Sequence, residues 1–127
     1  MDTLIYLDTH VAAWLYAGAL DSISARASAL LRENALRIAP MVRLELQYLY
    51  EIERVTRPAP EVVLSLQRAI GFEICDHPFD LVVEHAERLD WTRDPFDRLI
   101  VAQASIGQDR LLTKDETIRD HYAHAVW

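Results

Sequence analysis

Short β-prone segments alternate with helical segments along the chain, and this alternation constrains the fold most. The predicted strands are Thr3–Asp8, Leu36–Ala39, Phe72–Cys75, Arg110–Thr113 and Ala125–Trp127. The predicted helices are Val11–Ala17, Ile23–Asn34, Met41–Val55 with Pro40 in its first turn, Glu61–Ile70, Phe79–Leu89, Pro95–Ile106 and Glu116–His121. Strands separated by helices favour a parallel sheet with helices on both faces. The sequence therefore predicts an α/β fold.

Length and composition set the remaining bounds on the class of protein. The chain has 127 residues, of which 51% are hydrophobic and 26% charged, so we expect one globular domain over residues 1–127 rather than disorder. Its longest apolar runs are about four residues, far below the ~18–20 that span a bilayer. The single Cys75 excludes an intrachain disulfide, and Met1-Asp2-Thr3 has no basic leader. We therefore expect a cytoplasmic protein with no membrane segment.

The charge balance disfavours a simple DNA-binding module. Thirteen basic residues against 20 acidic ones give a formal net charge of −7, which is poorly suited to gripping nucleic acid by bulk charge. Two features still permit a more local contact with nucleic acid. Some of the acids could hold a cation, and 12 of the 13 basic residues are Arg, whose forked donors suit phosphate.

Two aspartates follow predicted strands. Asp8 ends the first strand and Asp115 comes just after the fourth, in Leu111-Leu112-Thr113-Lys114-Asp115. Functional crevices of open parallel sheets lie beyond the carboxyl ends of the strands, so both acids are placed where ligands bind. The alternative role for each is a helix N-cap, a position that favours Asp.

Glu45 is the most informative single residue. On a helical wheel begun at Met41 it falls at about 40°, in the middle of an apolar stripe formed by Leu44, Tyr48, Ile52, Leu49 and Val42. An ionised carboxylate buried without a partner costs several kcal/mol, so Glu45 needs a cation, a proton or several donors. A salt bridge or a protonated Glu is the structural alternative.

Asp97 belongs to the string Asp94-Pro95-Phe96-Asp97-Arg98-Leu99. Asp94 is predicted to cap the helix, with Pro95 at its first position and Asp97 at its third, where an acid favours the helix dipole. Val101 and Ala104 lie on the same helix face as Asp97. Asp97 is therefore expected to point inward, as a site residue or as part of the cap.

Asp8, Glu45, Asp97 and Asp115 together predict a converging carboxylate cluster. Crowded carboxylates repel one another, and a hard ion such as Mg²⁺ or Mn²⁺ relieves that repulsion with oxygen ligands. A soft-metal site is not supported, because Cys75 has no partner at ligand spacing and the histidines form no HxxxH pair. Among the histidines only His10 lies near the predicted site. Acid ligands around Mg²⁺ suit phosphodiester hydrolysis.

At this point the chain resembles a known family. Leu7-Asp8-Thr9-His10, Glu45 within Pro40–Leu46, the string from Asp94 to Ala104, and Leu111–Asp115 are similar to motifs of the PIN-domain family, and more narrowly of VapC-type toxins. The resemblance implies a PIN-like three-layer α/β/α sandwich and a Mg²⁺- or Mn²⁺-dependent endoribonuclease acting on RNA. The family's four acids fall on Asp8, Glu45, Asp97 and Asp115, and Thr113 matches a hydroxyl two residues before the fourth. A small antitoxin and a homodimer are also implied.

Three alternatives to a PIN-type ribonuclease share some of these sequence features. A haloacid-dehalogenase-like phosphatase would use Asp8 but needs a second aspartate two residues later, where this chain has His10. A receiver domain would use Lys114 but needs an early acid pair that Cys75-Asp76 does not supply. A catalytically weak PIN fold that acts only as a binding partner stays open, since sequence does not report turnover.

Overall fold

A computed structural model describes residues 4–127, in which five parallel strands form one sheet. The strands are β1 (Leu4–Leu7), β2 (Ala35–Ile38), β3 (Glu73–Ile74), β4 (Arg110–Leu112) and β5 (Ala125–Val126). Each matches a predicted strand; four of them are shorter than predicted, and β2 has the predicted length but begins one residue earlier. Thr3, the first residue of the predicted first strand, lies outside the described residues. The predicted α/β fold with a central parallel sheet is confirmed.

The strand order β3-β2-β1-β4-β5 places the first strand at the centre. Ile5 is paired with Leu36 of β2 on one side and with Arg110 of β4 on the other. β2 and β3 are added on one side of β1, and β4 and β5 on the other. Because crossovers between parallel strands are right-handed, this reversal places helices on both faces of the sheet. The gap between β1 and β4 is the topological switch point, where the carboxyl ends of strands leave a crevice.

The helices confirm the predicted order and differ mainly at their ends. They are α1 (Thr9–Ala17), α2 (Ala25–Glu33), α3 (Pro40–Glu51), α4 (Ala59–Ile70), α5 (Phe79–Ala86), α6 (Pro95–Ser105) and α7 (Glu116–His121), with a short 3-10 helix over Leu20–Ser22. Within residues 4–127 no helix is both long and apolar enough to cross a membrane.

Several helix ends correct the sequence prediction. α2 begins at Ala25 rather than at Ile23, because Ser24 caps it, and the Ser24 hydroxyl accepts a hydrogen bond from the Ala27 amide at 3.0 Å. α4 begins at Ala59 rather than at Glu61, because Pro60 fits within a first helical turn that needs no amide donor.

Left-handed residues end several of the helices. Gly18 and Gly71 close α1 and α4 in the left-handed conformation, as their sequence positions predict. After α6 the left-handed residue is Gln108 rather than Gly107, and α3 ends at Glu51 rather than at Val55 because Glu53 is left-handed.

The face that α3 buries agrees only in part with the predicted stripe. Val42 and Leu49 of that stripe are buried, whereas Leu44, Tyr48 and Ile52 are 56%, 46% and 43% exposed. The row that packs inward contains Val42, Glu45, Leu46 and Leu49. α3 therefore has two apolar rows, and Glu45 belongs to the buried one.

Candidate active site

Asp8 lies at the end of the central strand, and its carboxylate is fixed by two donors. The amide of Thr9 donates to Oδ1 at 2.7 Å, which makes Asp8 the N-cap of α1, and the hydroxyl of Thr113 donates to Oδ2 at 2.6 Å. The side chain is 6% exposed. Burial raises the pKa of Asp8, and the negative charge of Asp115 adds to the increase, while the two hydrogen bonds oppose it.

Thr113 joins two of the predicted site residues. It is fully buried just after β4, and its hydroxyl both donates to Asp8 and accepts a hydrogen bond from the Asp115 amide at 3.1 Å. The sequence reached Thr113 only through the family resemblance. Thr113 therefore holds the Asp8 carboxylate against the loop that carries Asp115.

Asp115 is the N-cap of α7, so its predicted alternative role is real. Its Oδ1 accepts from the Ile118 amide at 3.0 Å, and the residue is exposed. One carboxylate oxygen of Asp115 is thus occupied by the helix cap. The negative charge of Asp115 nevertheless raises the pKa of both Asp8 and Asp97.

Glu45 is a buried acid without a counter-charge. It is 8% exposed, and its Oε1 has no hydrogen-bond partner within residues 4–127; the same holds for Oγ1 of the fully buried Thr9. Burial raises the pKa of Glu45, the nearby Thr9 hydroxyl opposes the increase, and the charges of Asp8 and Asp94 add to it. Of the two structural alternatives for Glu45, a salt bridge is absent from the part of the chain that the structure describes, whereas the raised pKa is consistent with a protonated carboxyl group. The orphaned oxygen leaves Glu45 able to accept a cation or a proton.

Asp97 has a strongly raised carboxyl pKa. Burial, then the charges of Asp94, Asp8, Asp115 and Glu45, raise its pKa from 3.8 to about 7. Asp94 caps α6 by accepting from the Phe96 amide at 2.9 Å. Asp97 is therefore protonated to a substantial extent at neutral pH when nothing else neutralises the cluster.

The charges of Asp8, Glu45 and Asp115 each raise the pKa of Asp97, and so does the charge of Asp94. The four predicted acids are therefore neighbours of one another, and their joint role in binding a metal stays a prediction. No group of three or more His, Cys, Asp or Glu side chains in residues 4–127 is already arranged around one metal position. Hydrogen bonds already occupy carboxylate oxygens of Asp8 and Asp115, which partly explains why these acids are not arranged around one metal position.

The donor set nevertheless fits a hard divalent cation. It consists of carboxylate oxygens, as Mg²⁺ and Mn²⁺ prefer. Glu45 has a free buried oxygen, and the repulsion that raises the pKa of Asp97 is what a cation would remove. Glu45 and Asp97, whose pKa values are both raised, would release any bound proton on binding such an ion.

Comparison with known proteins decides the family. The PIN domain family model matches residues 5–123. The chain belongs to the PIN domain family. It is 32% identical over 124 residues to Ribonuclease VapC22 of Mycobacterium tuberculosis, an alignment that covers 94% of this chain and 92% of that protein. This family leaves no basis for the haloacid-dehalogenase-like or receiver alternatives.

Solved structures show the same PIN fold at low sequence identity. VapBC2 from Rickettsia felis, bound to a DNA fragment from its promoter, matches with a TM-score of 0.70 at 18% identity, covering 98% of this chain and 96% of that one. A toxin–antitoxin complex from Klebsiella pneumoniae matches with a TM-score of 0.63 at 16% identity, covering 97% and 96%. VapBC-1 from nontypeable Haemophilus influenzae gives a TM-score of 0.63 at 16% identity, covering 93% and 94%.

Proposed function

We propose that this PIN-domain protein is an endoribonuclease that hydrolyses RNA phosphodiester bonds with Mg²⁺ or Mn²⁺ held by Asp8, Glu45, Asp97 and Asp115. The observation that carries the proposal is the convergence of these acids, with the pKa of Asp97 raised to about 7 by burial and by its acidic neighbours. The name of the VapC22 relative, a ribonuclease, supports the reaction class.

When bound, the ion supplies an activated water and stabilises charge on the scissile phosphate. The protein's own residues prepare the place for it. Thr113 and the Thr9 amide fix the orientation of the Asp8 carboxylate. Glu45 offers a buried oxygen that has no hydrogen-bond partner among residues 4–127, and Asp97 would release its proton on the approach of a positive charge. The low exposure of Asp8 and Glu45 strengthens their interaction with any cation.

The proposal extends to a partner. We infer that residues 1–127 act as a single cytoplasmic toxin domain, paired as a homodimer and inhibited by a small antitoxin. The antitoxin would lie along the apolar helices around Ile23–Leu31 and Val42–Ile52 and place a basic side chain among the acids. The exposed row of Leu44, Tyr48 and Ile52 supports a protein contact on α3. The titles of the similar structures, which are VapBC and toxin–antitoxin complexes, support a partner of this kind.

Metal removal and restoration test the enzyme. We expect the purified chain to cleave single-stranded RNA, to lose this activity in EDTA and to regain it with Mn²⁺. Asp8→Asn and Asp97→Asn should each abolish cleavage while the protein stays folded, because each removes a ligand charge and nearly preserves side-chain volume. Asp80→Asn is the matched control, since Asp80 is an exposed acid in the first turn of α5.

The same assay distinguishes a ribonuclease from a catalytically weak PIN fold that acts only as a binding partner. Full activity of Asp8→Asn or Asp97→Asn at saturating Mn²⁺ would overturn the site assignment. A wild-type chain that binds RNA or a protein partner but never cleaves RNA under any metal would support the binding module instead. Co-expression with the neighbouring small gene product should restore growth and give a complex that cleaves poorly.

A further inference from the structure

A half-enclosed aromatic pocket lies beside the acid cluster and contains none of the four candidate acids. It lies between α1 and the residues that end and follow α3, and its volume is about 260 Å³. Its lining includes His10, Trp14, Tyr16, Leu49 and Arg54. Since pockets that enclose drug-sized ligands are ~300–1,000 Å³, this one suits a single planar ring system.

Trp14 is the main aromatic wall of this pocket. It lies one helical turn after His10, with the two ring centroids 6.1 Å apart, and its ring centroid is 6.0 Å from that of Trp127. Trp14 is only partly buried and is not part of the hydrophobic core described around the sheet. The side chain is therefore available for contact with a ligand rather than committed to packing.

Cations surround the pocket in a chain whose net charge is −7. Lys114 places its Nζ 5.7 Å from the centroid of the Trp14 ring, and Arg54 lines the pocket itself. Neither cation forms a salt bridge with any residue in the range 4–127. An occupant with negative charge close to its ring would satisfy both.

The pocket adjoins the place of reaction. His10, which lines the pocket, follows Asp8 by two residues, and Lys114 directly precedes Asp115. Trp14 follows Asp8 by six residues of α1, which is about 9 Å along a helix at ~1.5 Å per residue. A base seated against Trp14 would therefore lie close to a phosphate held at the acids.

Backbone geometry presents Arg54 at this site. α3 ends in a Schellman motif in which the Arg54 amide donates to the Leu49 carbonyl at 2.7 Å. The residue before it, Glu53, has φ of 64° although it has a Cβ, a conformation that costs about 1–2 kcal/mol. Strain of this kind persists where the surrounding structure requires it.

From these contacts we propose that the pocket lined by His10, Trp14 and Arg54 binds one unpaired nucleobase of the RNA beside the scissile phosphate and thereby selects the cleavage site. This inference rests on the proposed ribonuclease function. Unstacked bases are recognised by stacking on aromatic rings and Arg planes, while Lys114 and Arg54 suit the attached phosphates. A basic protein segment fits worse, because it would meet these same cations.

Binding is tested without cleavage, on the full chain in EDTA at low salt. The probes are fluorescein-labelled octaribonucleotides of A, C, G or U, each with an abasic counterpart that keeps every phosphate. We expect at least one base-containing probe to bind about 5- to 100-fold more tightly than its abasic form, given typical base–aromatic stacking. Trp14→Ala should remove that difference, and Arg54→Ala should weaken both forms.

Matched variants control for fold and for general surface effects. Phe79→Ala removes an aromatic ring that is 66% exposed elsewhere, and Arg68→Ala removes an exposed cation of α4; both should keep the wild-type preference. Trp14→Phe keeps an aromatic wall and should retain most of the wild-type base preference. This variant keeps the inference testable if Trp14→Ala fails to fold.

The outcomes separate this inference from the proposed function. Unchanged base preference and unchanged cleavage positions in Trp14→Ala would overturn the pocket while leaving the nuclease intact. A base preference that depends on Trp14, in a chain that never cleaves RNA with Mn²⁺, would support the pocket and reject the ribonuclease. Loss of antitoxin binding in Trp14→Ala with no change toward any probe would assign the pocket to a protein instead.

Discussion

At the scale of single residues, Asp97 couples the stability of the protein to pH. Its pKa of about 7 in the folded chain lies above its ordinary value of 3.8, so the folded state holds a proton that the unfolded state releases between these values. The contribution of Asp97 to the free energy of unfolding is therefore fully present below about pH 4, and it is lost as the pH rises to about 7. We expect the melting temperature of the metal-free protein to fall over that range.

Thermal melts in EDTA between pH 5 and 8 measure this effect, with Asp80→Asn as the control. Asp97→Asn should flatten the pH dependence, because its side chain is neutral throughout. Addition of Mn²⁺ at pH 8 should raise the wild-type melting temperature through binding to the native state. A metal-free protein that becomes more stable as pH rises from 5 to 8, in wild type and Asp97→Asn alike, would contradict the raised pKa.

Glu45 gives the second prediction at this scale. Because its carboxyl group is buried with an orphaned oxygen, Glu45→Leu should stabilise the metal-free protein by about 1–4 kcal/mol while abolishing metal binding. Chemical denaturation measures the first effect and Mn²⁺ titration the second. Glu45→Gln keeps the shape but not the charge, and serves as the comparison. If Glu45→Leu unfolds the domain, Glu45 is instead part of a structural polar network.

At the scale of elements, two helices end on left-handed residues that have side chains. Glu53 after α3 and Gln108 after α6 have φ of 64° and 53°, in the position where α1 and α4 use Gly18 and Gly71. Glu53→Gly and Gln108→Gly should each raise the unfolding free energy by about 1 kcal/mol, because only glycine enters this conformation without a Cβ penalty. Urea denaturation checks this prediction.

Gly18→Ala is the opposing control for those helix ends. It should lower stability, since alanine must adopt a φ of 70° there. A loss of stability in Glu53→Gly and Gln108→Gly would mean that these side chains make contributions larger than their backbone strain. RNA binding by Glu53→Gly would also report whether the strained residue is needed to present Arg54.

At the scale of the whole molecule, charge determines how partners approach. The acids converge at one crevice in a chain of net charge −7, so a basic antitoxin should be attracted from a distance. We expect its association rate to fall steeply as salt rises, since screening shortens the Debye length to about 8 Å at 0.15 M. Stopped-flow association across salt concentrations measures this, with Asp97→Asn expected to show a weaker salt dependence. A rate independent of salt would contradict electrostatic capture.

The sequence by itself determined the order of strands and helices along the chain and the parallel sheet, and it supplied four candidate acids whose role as a metal site stays a prediction. Strand ends and helix termini have short-range signatures, which is why local spacing places Asp8 and Asp115 just after strands and Asp97 in the first turn of α6. The wheel correctly predicted that Glu45 is buried. It did not predict which of the two apolar rows of α3 faces inward, since only packing decides that. The tertiary structure alone decided the link from Thr113 to Asp8, the orphaned oxygen of Glu45, the left-handed Glu53 and the pocket at Trp14. Each of these depends on side chains far apart in the chain or on a backbone angle that local propensity disfavours, so they arise only when the helices pack on the sheet.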